Sequence, residues 1–402
     1  MSYAITAVTA QLFILLLTLI TNKVAATTLS LNDYAIYGQF VLMSSLISSF
    51  CTPGLQNSIM STEVKKESAL KVYFILATII SALLYFLIKI GSIKNYFLID
   101  VESYISPLFI LLIPFLYQAF VYKQAKVVNS GVRKNFIFFN VGNAFLCSLV
   151  LVLTMYFEAF VLTFLFLLLR PGFLGLLSIY DYLKNISFNI NFKCIFDFSH
   201  DKKNILGYLC YGVVSTSSFY IYSSIARFTI SESYDLETVG YFYTAQRIFE
   251  LLLGFSLAYY SNYYFRKLST TNDVKLLCRT VFSTSLYSAL FFTLIAFIIL
   301  FFSKDIVLLL FSVEQLPATK FFEPLLVNMI LGSLVYSIGF ALVAKANKFT
   351  MTILELLYLF AFCIFTLLFD AEYVVWIFPL IMLVKLTCNY FMFYRVFYAR
   401  KV

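Results

Sequence analysis

Long apolar runs follow one another along the whole chain, and only short stretches with charged residues separate them. The hydrophobic share of the 402 residues is 62%, whereas ordinary soluble domains have about 45–50%. A run of about 20 apolar residues is long enough to cross the hydrocarbon core of a bilayer as a helix. Because backbone amides in lipid must be satisfied within their own segment, these runs predict helices. We therefore expect an all-α integral membrane protein.

The apolar runs predict about 12 transmembrane helices. Ile306–Phe311 is also apolar, but it is too short to span a bilayer and Pro317 and Pro324 follow it, so we expect an interfacial or re-entrant piece. A different division of 302–325 would change the helix count and move the C-terminus to the other face. The predicted spans are 4–22, 34–60, 70–91, 104–122, 135–156, 158–180, 205–228, 238–262, 277–302, 321–344, 350–369 and 373–395.

Basic residues are concentrated in alternate loops, which predicts the orientation of the helices. Lys and Arg are retained on the cytoplasmic side of a membrane, whereas Asp and Glu exert little control. With the N-terminus inside, most of the 29 basic residues fall in cytoplasmic loops, and acidic residues collect on the other face. We therefore predict a multi-pass protein with both termini in the cytoplasm. This placement explains the net charge of +9 without a nucleic-acid partner.

The longest polar stretch lies near the middle of the chain and predicts two halves. We expect an N-terminal six-helix bundle at 1–180, a cytoplasmic linker at 181–204 and a C-terminal six-helix bundle at 205–402. Two pseudo-symmetric bundles around a central cavity are typical of transporters that arose by internal duplication. The division therefore favours a transporter.

Cysteine and histidine residues give no sign of a metal site or of catalysis. The seven cysteines show no CxxC spacing and most lie in apolar runs, so we interpret them as small packing residues. His200 lies in the predicted linker, where a histidine is usually solvated. We expect no metal, no cofactor and no catalytic residue. The first run begins near Tyr3 without a basic n-region or a clear cleavage site, which predicts a retained helix.

Two corresponding stretches lead into the second and eighth predicted helices. They are Leu31-Asn-Asp-Tyr-Ala-Ile-Tyr-Gly38 and Leu236-Glu-Thr-Val-Gly-Tyr-Phe-Tyr243, and each supplies a leucine, an acidic residue and then a small and aromatic entry into a long helix. The family motifs around them are Leu29-Ser-Leu-Asn-Asp-Tyr-Ala-Ile-Tyr-Gly-Gln-Phe40 with Cys51-Thr-Pro-Gly-Leu-Gln-Asn57 in the first half, and Ile225-Ala-Arg-Phe-Thr-Ile230 with Val239-Gly-Tyr-Phe-Tyr-Thr-Ala-Gln-Arg247 in the second. Through these motifs, its length, its span count and its internal repeat, the whole chain resembles polysaccharide flippases of the Wzx type. That family belongs to the exporter superfamily that also contains multidrug extruders and the peptidoglycan-precursor flippase.

The sequence departs from this family at two places. Ala35 stands where the family often has a glycine. The end of the second predicted helix, at 57–62, lacks the basic residue that the family often has there. The sequence therefore does not support a cationic contribution from the second helix.

Several charged residues fall within or beside the predicted spans, where the membrane normally excludes them. A charge near the bilayer centre costs roughly 2.5–3.5 kcal/mol on insertion scales, so it usually faces a polar cavity or a partner. Uncharged polar residues such as Gln118 and Gln246 are predicted as interhelical hydrogen-bond partners. The candidate substrate-binding residues are Arg247, Arg227, Lys23, Arg170 and Lys385, and the candidate coupling or charge-pairing residues are Glu250, Glu355 and Asp33.

The eighth predicted helix carries two of these charges three residues apart. Arg247 and Glu250 either neutralise each other on one helix face, or Arg247 contacts a phosphate while Glu250 orients it or exchanges a proton. Arg227 either snorkels to the outer interface or contacts the ligand. These alternatives stay open at the level of the sequence.

The remaining charges also have two interpretations each. Lys23 is an interface anchor, a partner of Asp33 or, as the resemblance implies, a residue that lines the cavity. Arg170 is a charge at a helix end if the sixth span stops at the next residue, a proline, or else it contacts the ligand. Lys385 and Glu355 form either a buried ion pair or a coupling-ion site.

The resemblance implies a flippase of lipopolysaccharide biosynthesis in the bacterial inner membrane. It implies that an undecaprenyl-pyrophosphate-linked oligosaccharide, an O-antigen or related repeat unit, moves from the cytoplasmic to the periplasmic leaflet by alternating access. The implied partners are this lipid-linked oligosaccharide, membrane lipids, and the polymerase and glycosyltransferases of the same pathway. Basic residues in the spans are compatible with a pyrophosphate substrate.

Two other functions fit parts of the pattern. A membrane polymerase or glycosyltransferase would act on the same lipid-linked sugars, but the predicted outer loops are short and His200 lies in the linker. A cation or drug extruder would need a cavity that attracts cations, whereas several predicted cavity residues are basic. The sequence therefore favours the flippase.

Overall fold

The computed structural model describes residues 3–52, 55, 59, 66–89, 111–130, 133–186, 200–260, 264–271, 273–345 and 348–397, and within these ranges the secondary structure is helical. Within these ranges, three short 3-10 segments lie at Arg170–Gly172, Val313–Phe321 and Ala371–Trp376. The α-helices are α1 Tyr3–Thr28, α2 Leu31–Cys51, α3 Lys66–Lys89, α4 Ile113–Ser130, α5 Arg133–Tyr156, α6 Phe160–Leu169, α7 Gly175–Asn185, α8 His200–Ser233, α9 Leu236–Tyr259, α10 Phe265–Thr270, α11 Val274–Phe301, α12 Ser303–Leu310, α13 Phe322–Lys345, α14 Lys348–Leu368 and α15 Ile377–Phe397.

The expectation of an all-α membrane protein is confirmed. Each predicted span overlaps a helical segment, although the start of the fourth span and parts of the ends of the second, third and eighth lie outside the described residues. Within the described part of the chain, seven helices are long and apolar enough to cross a membrane. The eight-residue helix α12 covers most of the short apolar piece, and at this length it cannot span a bilayer.

The chain forms two compact units. One unit is continuous and runs from Ile36 to Ser224. The other combines Met1–Ala35 with Ile225–Val402. The linear division at 1–180, 181–204 and 205–402 stays a prediction, and most of its linker lies outside the described residues.

One buried amide connects four helices of the continuous unit. Gln118 of α4 donates from Nε2 to the carbonyl oxygens of Cys51 and Tyr73, at 2.8 and 2.6 Å. Its Oε1 accepts a 2.5 Å hydrogen bond from the hydroxyl of Tyr182 in α7. The prediction that Gln118 joins helices is therefore confirmed. Apolar side chains pack around it, so the satisfied polar group fixes the register of α2, α3, α4 and α7.

The sixth predicted span is interrupted at a proline. A proline has no amide hydrogen to continue a helix and is sterically incompatible with a helix interior, and here α6 ends at Leu169 and a 3-10 segment with Pro171 follows. Asn143 of α5 bridges the interruption: its Nδ2 donates to the carbonyl of Arg170 at 3.1 Å, and its Oδ1 accepts from the amide of Leu174 at 2.9 Å. The side chain thus replaces hydrogen bonds that the break removes.

Two glycines after the break allow α4 and α7 to approach closely. A Cβ atom added to Gly175 would lie 2.1 Å from the carbonyl oxygen of Leu116, and one added to Gly172 would lie 2.7 Å from the ring of Tyr117. Small residues at helix contacts are typical of membrane proteins, because packing rather than water exclusion holds the helices together. The close contact therefore requires glycine at 175.

In the other unit, α9 starts at a well-defined cap. Asp235 accepts a 2.7 Å hydrogen bond from the amide of Thr238. Hydrogen bonds from the side chain and then the backbone of Thr238 hold the pKa of the Asp235 carboxyl below its ordinary value. Further along α9, the hydroxyl of Thr244 donates to Oε1 of Gln315 at 2.6 Å, and both side chains are buried. These contacts fix the rotation of α9.

Replacement of Gly175 by alanine should lower the thermal midpoint of the purified protein in detergent. The new methyl group would collide with backbone rather than with a flexible side chain, and overpacking of this kind costs roughly 1–3 kcal/mol. Gly254→Ala is the matched control, because a Cβ at that helical position meets nothing within 4 Å. The control should keep or slightly raise the midpoint. Equal midpoints for both variants would contradict the close contact.

Candidate functional site

The polar residues of α9 share one face of the helix. Gln246, Arg247 and Glu250 lie three, four and seven residues after Tyr243, which places them on neighbouring turns of the same face. The neighbouring helix α8 contributes Arg227. All five belong to the unit that contains Ile225–Val402. We call Arg227, Gln246, Arg247 and Glu250 the arginine network.

The arginine network is a continuous chain of hydrogen bonds. Nη2 of Arg227 donates to Oε1 of Gln246 at 2.9 Å, and Nε2 of Gln246 donates to Oε1 of Glu250 at 2.8 Å. Nη1 of Arg247 donates to Oε2 of Glu250 at 2.5 Å. Both oxygens of the Glu250 carboxylate are therefore bound, one by an amide and one by a guanidinium.

Aromatic rings enclose the inner end of this network. The Cζ atom of Arg227 lies 5.0 Å from the ring centroid of Tyr243, within the range of a cation–π interaction. The ring of Tyr34 lies 5.3 Å from that of Tyr243. Arg227 is only 2% exposed, so its guanidinium turns into the protein rather than toward an interface. The geometry is therefore not that of a snorkelling side chain.

The arginine network holds two guanidinium groups and one carboxylate. A charged group moved out of water loses several kcal/mol of solvation, and only good pairing returns this energy. Arg247 and Glu250 pair at 2.5 Å with side chains 12% and 17% exposed. The predicted pairing within one helix is therefore observed, and Gln246 extends it to a second arginine. The network as a whole is cationic.

A second buried ionic contact joins the last two helices. Nζ of Lys385 in α15 donates to Oε2 of Glu355 in α14 at 2.7 Å, with side chains 8% and 11% exposed. The same ammonium lies 5.2 Å from the ring centroid of Tyr358. The ion-pair interpretation of these two residues is thus realised. Here one positive charge faces one negative charge.

Lys23 and Asp33 have separate roles in the structure. Nζ of Lys23 donates to the carbonyl oxygens of Leu308, at 2.9 Å, and of Phe311. These carbonyls lie at the C-terminal end of α12, where a cation is favourable. Asp33 instead accepts from the hydroxyl of Ser30 at 2.7 Å, and its amide donates back to that hydroxyl oxygen at 3.2 Å. In place of the suggested pairing, Lys23 makes a long-range contact with α12 and Asp33 makes a local contact with Ser30.

Arg170 lies in the continuous unit and marks the helix break. It follows the last residue of α6, as expected if the span stops at the proline. Its carbonyl oxygen accepts from Asn143, as described above. The structure therefore brings Arg227, Arg247 and Glu250 together, whereas Arg170 belongs to a different compact unit.

Sequence reasoning gave Gln246 only a general role in helix contacts and did not single out Tyr243 or Tyr358. The spacing of Gln246 from Glu250, four residues along one helix, is the signal that links them. Tyr243 precedes Arg247 by one turn in the same way. Among the described residues, no group of three or more His, Cys, Asp or Glu side chains is arranged to hold a metal ion.

Comparison with known proteins identifies the fold. No protein-family model and no curated protein sequence matches the chain. An inward-facing multidrug resistance MATE family transporter of the MOP superfamily aligns with a TM-score of 0.59 at 13% identity, over 98% of both chains. The MATE transporter VcmN of Vibrio cholerae aligns with a TM-score of 0.62 at 10% identity, over 98% of this chain and 95% of that one.

A third similar structure is a MOP superfamily transporter from Pyrococcus furiosus, for which reverse polarity of the binding pocket suggests a different function. It aligns with a TM-score of 0.59 at 12% identity, over 98% of this chain and 96% of that one. The chain therefore has the fold of the MATE transporters to which it is similar.

Neutralisation of Lys385 should destabilise the protein strongly. Lys385→Met leaves the buried carboxylate of Glu355 without its ammonium, and a broken buried pair costs roughly 3–5 kcal/mol. The double variant Lys385→Met with Glu355→Leu removes both charges and should recover most of the lost thermal midpoint. Lys275→Met, at an exposed lysine, is the control and should change little.

The double variant also separates the two interpretations of the pair. Retained transport in a stable double variant means that the pair is structural. Loss of transport in that variant assigns the pair to ligand or ion binding. An undiminished midpoint in the single variant would contradict the buried contact itself.

Proposed function

We propose that the chain is a flippase for an undecaprenyl-pyrophosphate-linked oligosaccharide, an O-antigen or related repeat unit of lipopolysaccharide biosynthesis. It moves this substrate from the cytoplasmic to the periplasmic leaflet of a bacterial inner membrane by alternating access. The observation that carries the proposal is the partly buried arginine network of α8 and α9. The lipid-linked oligosaccharide is the substrate partner.

The chemistry of the network suits a pyrophosphate. The guanidinium group presents paired donors that match two phosphate oxygens, and it keeps its charge in an apolar environment. Two such groups, Arg227 and Arg247, lie within one hydrogen-bonded network. A static scaffold gains no stability from a surplus buried charge, because apolar residues of similar volume usually pack at least as well. The cost of this charge therefore supports ligand binding.

The fold supports transport between the two membrane faces. The similar structures include an inward-facing and an outward-facing MATE family transporter of the MOP superfamily. We propose that this chain alternates between an inward-facing and an outward-facing state. This would expose a polar headgroup to each leaflet in turn while the lipid tail stays in the bilayer. A proton or sodium gradient that acts on Glu250 or Glu355, or the membrane potential, would supply the energy.

The sign of the charge distinguishes this proposal from drug extrusion. The similar transporters of the MATE family are described as multidrug resistance proteins. A cationic network repels a cationic drug in a low-dielectric site, whereas it attracts a phosphate. Reverse polarity of the binding pocket, which suggests a different function for the Pyrococcus furiosus transporter, is a precedent for such a change within one fold.

The remaining parts of the proposal follow from the loops and the resemblance. The basic loops favour a multi-pass arrangement with both termini in the cytoplasm. A polysaccharide polymerase and glycosyltransferases of the same pathway would use or supply the flipped substrate. Membership of the Wzx type of flippase is part of the same proposal. The transporter fold argues against a polymerase or glycosyltransferase on this chain.

Arg247→Ala should stop export in cells that lack the native protein. Lipid-linked repeat units should accumulate in the cytoplasmic leaflet and surface polysaccharide should fall about 10-fold or more, since a charge-assisted hydrogen bond is worth roughly 1.5–3 kcal/mol. Arg247→Lys keeps the charge but loses the paired donors, so it should rescue export in part. Units on each membrane face are measured by their accessibility to an impermeant sugar-modifying reagent.

Arg279→Ala is the matched control, because Arg279 is an exposed arginine at the start of α11. The control should export normally, and all variants must be present at equal levels in the membrane. Unchanged export by Arg247→Ala would remove Arg247 from the site. Repeat units that cross the membrane but stay unpolymerised would favour the polymerase instead.

A further inference from the structure

The carboxylate of Glu250 occupies the position that an anionic ligand of the arginine network would need. Its two oxygens accept from Nη1 of Arg247 and from Nε2 of Gln246. A phosphate oxygen accepts the same two kinds of donor. The carboxylate and a bound phosphate would therefore compete for one set of hydrogen bonds.

Exposure decreases along the network from Glu250 inward. The side chains of Glu250 and Arg247 are 17% and 12% exposed, whereas Arg227 is 2% exposed. A ligand therefore meets the Arg247–Glu250 pair first. Displacement of the carboxylate opens this accessible end of the network without unpacking the buried arginine.

On the basis of the proposed function, we infer that Glu250 is a resident counter-anion that the phosphate-bearing headgroup displaces from Arg247. In the empty site the carboxylate offsets the mutual repulsion of two guanidinium groups in a low-dielectric interior. In the loaded site the phosphates take over this role. Gln246 is a positioning residue, since its amide group holds Arg227 on one side and Glu250 on the other.

The exchange would select among anions by charge. A monovalent anion gains no more from the arginines than the resident carboxylate, so it has little advantage in the competition. A pyrophosphate ester carries more negative charge and more acceptor oxygens, and it can bind both guanidinium groups. The resident carboxylate also weakens binding enough to permit release, which a transporter needs at the end of each cycle.

The test measures pyrophosphate affinity of the full-length protein in detergent by calorimetry. The probes are inorganic pyrophosphate and farnesyl pyrophosphate, which share the phosphate groups and differ in the lipid tail. Glu250→Gln keeps the size of the side chain and removes the competing charge, so it should bind the probes about 10-fold more tightly than the wild type, within the usual range of coupling between sites. Glu250→Asp keeps the charge and should stay closer to the wild type.

Glu237→Gln is the matched control, since it removes an exposed carboxylate from the first turn of the same helix. Its affinity should equal that of the wild type. If Glu250→Gln is unstable without ligand, the rise of its thermal midpoint with added pyrophosphate gives the same affinity. The variant then unfolds at a lower temperature than the wild type, but its thermal midpoint rises more with each increment of probe.

The outcomes separate this inference from the proposed function. Equal affinity of Glu250→Gln and the wild type, with binding lost in Arg247→Ala, overturns the counter-anion role and leaves the phosphate site intact. Wild-type affinity in Arg247→Ala contradicts the phosphate site on which both depend. If Glu237→Gln raises the affinity for the probes as much as Glu250→Gln does, the inference is overturned, because the effect then comes from the total charge of the protein. If Glu250→Gln binds farnesyl pyrophosphate more tightly but not inorganic pyrophosphate, the result supports displacement of the carboxylate by a lipid headgroup.

Discussion

Polar groups inside a bilayer have no water to bind, so each must find its partner within the protein. In the continuous unit, the amide of Gln118 meets this demand for two backbone carbonyls and one tyrosine hydroxyl. At the break in the sixth span, Asn143 does the same for one carbonyl and one amide. Apolar packing holds the helices together, and these few polar hydrogen bonds determine which helix faces meet.

The same constraint acts more strongly on charges, and it distinguishes the two ionic clusters. Lys385 and Glu355 balance each other one to one, which is the arrangement expected of a pair that only fixes two helices. The arginine network joins two guanidinium groups to the carboxylate of Glu250 through one amide. Its excess of positive charge is the feature on which the proposed phosphate-bearing substrate depends.

The sequence was informative wherever a physical rule acts over short distances. The length of apolar runs predicted the helices. Pro171 offered the end of α6 as one of two interpretations, and the three-residue spacing did the same for the pairing of Arg247 with Glu250. Long-range contacts left no such pattern. Lys23 binds the carbonyl of Leu308, 285 residues away, and any residue type supplies a carbonyl, so the contact could not be predicted. The role of Gln246 depends on the approach of α8 to α9.

The division of the chain between the two units imposes an order on biosynthesis. Ile36–Ser224 is one uninterrupted segment, whereas the other unit needs both Met1–Ala35 and Ile225–Val402. Because a ribosome delivers residues from the N-terminus, the continuous unit has all of its parts in the membrane first. Helix α1 is made before the continuous unit, whereas the carbonyls of α12 that hold Lys23 are made after it. The contacts of Lys23 therefore cannot form until synthesis has passed through the whole of the continuous unit, and α1 stays without them during this interval.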